Sequence, residues 1–151
     1  MEKPASLRKA LAAAIPELAA NPDKLAMYVI DGQTRASKHT FGHTISYRLN
    51  INISDYTSGL ARLNVAVIAW LQQHQPDILG PGDVAPDSYV FEADILNNDA
   101  ADIAIVLRLT ESLLARIDEQ GHIHISRRPE PQLKNDLSWP RLPDNVKGAQ
   151  P

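Results

Sequence analysis

The chain contains no cysteine among its 151 residues, which excludes disulfides, thiolate zinc sites and cysteine nucleophiles. Its first 24 residues contain no apolar run long enough for a signal peptide or a membrane span. We therefore expect a soluble protein that is made in the cytoplasm and has no membrane partner. The length suits one domain that buries its own core and needs no disulfide bonds.

A strong charge of one sign is also missing, because the net charge is only −3. Acidic and basic residues are mixed along the chain, which argues against a nucleic-acid binder that relies on a basic face. The distribution is nevertheless uneven. Residues 127–151 carry a net +2, which leaves residues 1–126 at −5.

Motifs that carry chemistry are nearly absent as well. His122 and His124 lie two apart on a predicted strand and project from one face, which is the minimum for a metal-binding edge, but no third ligand is assured. No nucleophile or convergent carboxylate can be placed beside His39 and His43. The glycines of "DGQTR" and "GPGDVAPDS" lack the spacing of a phosphate loop. We predict no catalytic site, no bound metal and no cofactor.

The most regular pattern is "HTISYRLNINISDY", residues 43–56, in which apolar and polar side chains alternate. Alternation of this kind predicts a strand with one buried face and one solvated face. The solvated face carries a single charge, Arg48, between small polar residues that include Asn50 and Asn52. One charge is too little to neutralise phosphates, so nucleic acid is a poor partner for this face. Plain solvent and a neighbouring subunit both remain open.

Two helices are predicted from apolar residues at helical spacing. The first covers residues 4–14, with Pro4 in its first turn, and Pro16 ends it before a turn and loop in "PELAANPD". The second lies in "TSGLARLNVAVIAWLQQHQ", with Ser58 as a plausible cap and Pro76 as its stop.

The remaining segments predict strands. Residues 25–37 read as a strand broken at Asp31-Gly32, and two alternating runs flank the turn "NNDAAD". Residues 110–118 fit either a short helix or the continuation of a strand, and we favour a long bent strand. The last strand follows "DEQGH", with Ile123 and Ile125 on the core side. The order α-β-β-α-β-β-β predicts an α+β fold, with a mainly antiparallel sheet covered by two helices.

The C-terminal segment, residues 127–151, differs in composition and patterning from the body, residues 1–126. It holds five of the eleven prolines and shows no periodicity, so we expect an extended tail. Trp139, followed by Arg141 and Leu142, is a candidate anchor, because an indole between prolines can dock in a groove at low entropic cost. Docking on its own domain and docking on a partner are equally compatible with the sequence.

Three stretches together resemble the tail completion protein R family of P2-like contractile-tailed phages and prophages. They are "KPASLRKALAAAIPELAANPDKL", "AWLQQHQPDIL" and "FEADILNNDAADIAIVLRLTE", in the family's order and at its approximate spacing. The resemblance covers about residues 3–131 and does not extend to the last twenty residues.

The resemblance implies a structural role in virion assembly and a terminator-like fold. It implies a homo-oligomeric ring, expected to be six-fold, that sits at the head-proximal end of the tail tube in the virion, stops tube growth and joins the head. The implied partners are the tube protein and, further, the sheath protein and the head-tail connector or neck proteins, with DNA only as passing cargo.

In such a ring the solvated face with Arg48, Asn50 and Asn52 is expected to be a subunit interface. The acidic hairpin with Asp94, Asp99 and Asp102 is expected to line the pore, because acidic walls let DNA slide. Two alternatives stay open: a monomeric adaptor that binds through its tail, and a small metal-dependent hydrolase.

Overall fold

Five strands form one antiparallel sheet in the computed structural model, which describes residues 1–128. The strands are β1 (Leu25–Ala36), β2 (His43–Tyr56), β3 (Tyr89–Ile95), β4 (Ala101–Ile117) and β5 (Ile123–Arg127). Their order is β1-β2-β4-β3, and β5 also pairs with β4. β3 pairs with residues 101–107 of β4 and β5 with residues 113–117, so both lie along the edge of β4 that faces away from β2.

In this described part of the chain, three α-helices pack on one face of the sheet: α1 (Lys3–Ala14), α2 (Pro16–Ala20) and α3 (Leu60–His74). We predicted only two. Pro16 does end α1, but a proline is also favoured in the first turn of a helix, and here it begins α2 where we expected a turn and loop. Two short 3₁₀ turns, Pro22–Lys24 and Pro76–Ile78, lead out of the helical segments. Within residues 1–128 no helix combines the length and apolarity needed to cross a membrane.

The start of α3 differs from the predicted cap. Gly59, with φ at 90°, precedes the helix, and no side chain caps it. The Ser58 hydroxyl instead donates to a carboxylate oxygen of Glu17 at 2.6 Å. Ser58 therefore ties α3 to α2 rather than capping its own helix.

The core lies between the helices and the alternate residues of the two central strands. β2 contributes Tyr47, Leu49, Ile51 and Ile53, and β4 contributes Ile103, Ile105, Leu107 and Leu109. This confirms the α+β class and the predicted parity of both strands. A bulge with Asp55 at φ 51° shifts the register after Ile53, which brings Tyr56 onto the core side. A second bulge at Asp31 matches the predicted break in β1.

The end of β4 extends past β2, which begins opposite Leu113. Residues 113–117 and 123–127 therefore form a two-stranded ribbon that projects from the sheet, and we call it the arm. The predicted long strand is confirmed, but the predicted core position of its partner is wrong. Ile123 and Ile125 lie on the same face of the sheet as the core residues, but they are 67% and 60% exposed. They are exposed because this part of the sheet extends beyond the buried cluster.

Glu17 stabilises the joint between α2 and the segment that leads into α3. Its carboxylate accepts hydrogen bonds from Thr57 and Ser58 and pairs with Lys24 at 2.8 Å. Burial raises the pKa of Glu17, but these partners outweigh it and lower the pKa to about 2. The ionised carboxylate therefore contributes stability above pH 4.5 that is lost as the pH falls through about 2.

We expect Glu17→Gln to lower the free energy of unfolding by about 1–2 kcal/mol at pH 7, since the amide keeps the shape but not the charge. Urea denaturation followed by circular dichroism measures this. The difference from the parent protein should shrink as the pH is lowered from 4.5 toward 2. A difference that does not depend on pH would show that the charge of Glu17 is unimportant. Glu119→Gln, on the exposed turn of the arm, is the matched control.

Candidate assembly surfaces

The two histidines of the arm contact the aspartate that begins its turn. The Asp118 carboxylate contacts His124 Nε2 at 2.8 Å and His122 Nδ1 at 3.6 Å. It also accepts hydrogen bonds from the backbone N–H groups of Gln120 and His122. The hydrogen bond from His124, together with these backbone groups, lowers the pKa of Asp118. Across residues 1–128 no group of three or more such side chains is arranged so that it could hold a metal ion.

The face of the sheet opposite the helices is open, and an ion network spans it. Arg48 on β2 and Arg108 on β4 are cross-strand neighbours, and both bind Asp87 from the loop before β3. Arg48 Nη2 lies 3.0 Å from Asp87 Oδ2, and its Nε lies 3.9 Å from Asp31. Arg108 first, and then Arg48, lower the pKa of Asp87. Arg48 is thus placed on the open face as predicted, but with acidic partners from its own chain.

Asn50 and Asn52 lie further along the same face. Asn50 is only 8% exposed, because Tyr28 of β1 and Val106 of β4 flank it in the register. Asn52 is half-buried, between Ala26 and Ala104, whose short side chains leave it more accessible. The accessible polar groups of this face are therefore those of Arg48 and Asn52, with Asn50 beneath the surface between them.

The acidic hairpin lies at the other end of the sheet. Asp94 on β3 and Asp102 on β4 are directly opposed, an arrangement in which like charges are unfavourable. Asp102 Oδ1 accepts the N–H of Asp55 at 2.8 Å, which ties it to the bulge of β2. Asp99 is in the turn, where its N–H donates to Asn97 Oδ1. The structure thus brings Asp94 and Asp102 together on the open face and leaves Asp99 at the tip.

Two exposed apolar surfaces occur on the helix side of the sheet. One is the apolar face of the arm, formed by Ala115, Ile117, Ile123 and Ile125. The other, which we call the apolar strip, is formed by Phe91 and Ile95, which lie on the same face of β3. The hydrogen bond from the Tyr89 hydroxyl to Asn64 Oδ1 holds α3 over β3 at one end of the strip. Neither surface is covered within residues 1–128.

A buried carboxylate anchors the base of the arm. Glu111 is 5% exposed and accepts hydrogen bonds from the Tyr47 hydroxyl, the Glu2 N–H and Arg127 Nη1. Arg127 Nε also lies 2.6 Å from the Glu2 carboxylate. Burial raises the pKa of Glu111, but the hydrogen bonds from Glu2 and Tyr47 outweigh it, and the net pKa is lowered. The ionised carboxylate thus links α1, β2 and β5 around the point where the arm leaves the sheet.

Comparisons with known proteins identify the family of the chain. The sequence profile described as P2 phage tail completion protein R (GpR) matches residues 1–131. The chain belongs to the P2 phage tail completion protein R family. It is 39% identical over 137 residues to tail completion protein R of Escherichia phage P2, and the match covers 87% of each chain. No solved structure gives a significant match.

The family assignment confirms the resemblance predicted from the three quoted stretches. The GpR match ends at residue 131, so it leaves out most of the C-terminal segment. The predicted anchor of Trp139, Arg141 and Leu142 lies outside the described residues.

Sequence reasoning missed Asp87, Glu111 and Asp118, which hold the open face, the base of the arm and its turn. Only Asp118 has a local signal in the sequence, because it lies four residues before His122 and six residues before His124 in "DEQGHIH". The contacts of Asp87 and Glu111 depend on which residues of β2 and β4 lie side by side, and this register cannot be read from the sequence.

Proposed function

We propose that this member of the tail completion family forms a ring at the head-proximal end of the phage tail tube. There it stops tube growth and presents the surface to which the head joins. Its partners would be further copies of itself and the tube protein, followed by sheath and head-tail connector proteins. The observation that carries the proposal is the match to tail completion proteins over the whole described body.

The surfaces of the chain support an assembly role. A closed ring requires two unlike surfaces on each subunit, since a head-to-tail contact closes only when the rotation per subunit divides the circle. The open face with Arg48 and Asn52, above Asn50, would serve as a polar subunit contact. A six-fold ring is the expected match to a tail tube.

The acidic hairpin would line the pore of this ring. Hairpin residues 89–102 carry four acidic side chains and no basic one, so passing DNA would be repelled and would not be held by released counterions. A structure of the assembled ring tests this placement of Asp94, Asp99 and Asp102. Their presence on the outer rim would refute it.

The C-terminal segment would reach across to an adjacent subunit or to the tube. We expect deletion of residues 129–151 to weaken ring assembly or tail joining while the thermal unfolding of the domain is unchanged. Such a tether adds contact area through a separate strand of chain. Counts of joined particles by electron microscopy measure the effect, and the full-length protein expressed from the same plasmid is the control. Normal joining by the truncated protein would contradict this role.

The function itself is tested by removing the gene from the phage and imaging the lysate by electron microscopy. We expect full heads beside unattached tails, with tails of abnormal length. Expression of the intact chain in trans should restore joined particles. Normal virions at the usual yield from the deletion phage would overturn the proposed function.

A further inference from the structure

Each of the two exposed apolar surfaces brings large apolar side chains together on one face of a strand. On the arm, Ile123 and Ile125 are 67% and 60% exposed, and Ile117 beside them is 47% exposed. On the apolar strip, Ile95 is 70% and Phe91 47% exposed. Single exposed apolar residues are normal, but clusters of them on a soluble domain mark contact surfaces.

The arm and the apolar strip of one molecule cannot cover each other. Both lie on the helix side of the sheet, because Ile95 and Phe91 pair with residues 101 and 105 of β4, and Ile123 and Ile125 pair with residues 117 and 115. The two sets are thus attached to opposite ends of one continuous strand. At a rise of about 3.3 Å per residue, the ten residues between positions 105 and 115 span roughly 33 Å.

The charges around the two surfaces differ. The hairpin that carries the strip, residues 89–102, has a net charge of −4. The arm, residues 113–128, carries three arginines against Asp118 and Glu119, but Arg127 is paired with Glu2 and Glu111 at its base, so the rest of the arm is close to neutral before its two histidines are counted. Two hairpin ends therefore repel each other, whereas the arm can approach the acidic hairpin end of another molecule.

We propose that the arm of one copy of this chain docks on the apolar strip of the next copy. The contact places Ile123 and Ile125 against Phe91 and Ile95, beside α3. It is heterologous, because each copy uses its arm on one side and its strip on the other, and it therefore propagates around a ring. Closure into a ring at the tail rests on the proposed function, whereas the contact between copies does not.

The absence of cysteine from the chain allows a direct test. We would make Ile123→Cys and Ile95→Cys, singly and together, and Ile125→Cys with Phe91→Cys as a second pair. A short bismaleimide would then be applied to concentrated protein and to assembled phage tails. The double variants should give a ladder of cross-linked chains on denaturing gels. A 1:1 mixture of Ile123→Cys and Ile95→Cys should stop at dimers, which exceed those of either single variant at least tenfold.

The controls separate the proposed contact from chance collision. Ala13→Cys, at an exposed position of α1 outside every proposed contact, paired with Ile123→Cys should give no ladder. If neither double variant gives a ladder in solution or in tails, the proposal is overturned. It is also overturned if Ile123→Cys alone gives dimers as efficiently as the mixture, since the contact would then be arm to arm. A ladder that forms only after truncation at Arg128 would mean that residues 129–151 cover the arm in the full chain, which overturns it too.

A charge-reversing variant adds an assembly readout in the phage. Ile123→Glu together with Ile125→Glu should leave the unfolding temperature within a few degrees of the parent, because both positions are exposed. It should fail to restore joined particles to the deletion phage. If the deletion phage needs the gene but this variant restores it fully, the proposed function stands and the proposed contact falls.

Discussion

Glu111→Ala is expected to lower the free energy of unfolding by about 3 kcal/mol, because a charged network loses the buried carboxylate at its centre. Glu111 is 5% exposed, and its carboxylate binds Tyr47, the Glu2 N–H and Arg127. Without it, the buried Tyr47 hydroxyl and the Glu2 N–H lose their acceptor, while Arg127 keeps only Glu2. Chemical denaturation measures the loss, and the arm should be affected most.

Hydrogen exchange makes that regional effect visible. Amides of β5 should exchange faster in Glu111→Ala. Amides of residues 49–51, in the sheet centre, should exchange faster only by the amount that the lower global stability requires. The folded pKa of Glu111 is lowered, so its contribution is present above pH 4.5 and is lost as the pH falls below that value. Asn52→Ala, on the open face, is the control. A loss under 1 kcal/mol with unchanged β5 exchange would contradict the anchoring role.

Trp70→Ala is expected to lower the free energy of unfolding by about 4 kcal/mol, because it leaves a large cavity in the core. Trp70 is 4% exposed, stacks on His74 at a ring separation of 4.6 Å, and donates its Nε1–H to Ser6 Oγ at 3.0 Å. The side chain therefore joins α3 to α1 over the sheet.

Two further variants divide this effect between packing and the hydrogen bond. Trp70→Phe keeps most of the apolar volume and should lose about 1–2 kcal/mol, and Ser6→Ala should lose about 1 kcal/mol. Guanidinium denaturation of the three variants supplies the comparison. If Trp70→Ala were no more costly than Ser6→Ala, the indole ring would not be part of the core as described.

The sequence predicts the sheet and the two longer helices well because their patterns are long. The alternation through β2 gave the correct buried set, from Tyr47 to Ile53, and the same parity in β4 gave Ile103 to Leu109. The helical spacing from Leu63 to Leu71 gave the buried face of α3. Each pattern extends over several turns or residue pairs, so chance interruptions do not hide it.

The errors arise where a local pattern does not determine what covers it. Ile123 and Ile125 alternate like core residues, but burial requires a helix above them, and the helices pack over the other part of the sheet. Pro16 ends one helix and begins another, and both readings obey the same stereochemical rule. Ser58 precedes a helix but binds Glu17, 41 positions away in sequence.

The candidate surfaces were predictable only in part, for the same reason. Arg48, Asn52, Asp94 and Asp102 face the open side of the sheet, as period-two alternation requires. Burial of Asn50 depends on Tyr28 in the neighbouring strand, and the network of Arg48 depends on Asp87 in a loop. The family assignment, in contrast, was available from three short stretches, because it depends on their order and spacing along the chain.

The most direct test of the proposed place in the tail is electron microscopy of purified tails in which the chain carries a small epitope tag. The tag would replace Lys38-His39 in the exposed loop between β1 and β2 and be located with gold-labelled antibody fragments. We expect label at a single position, the head-proximal end of the tube, and a ring-shaped density there in averaged images. Label along the sheath or at the baseplate, or tails that join heads without any label, would contradict it.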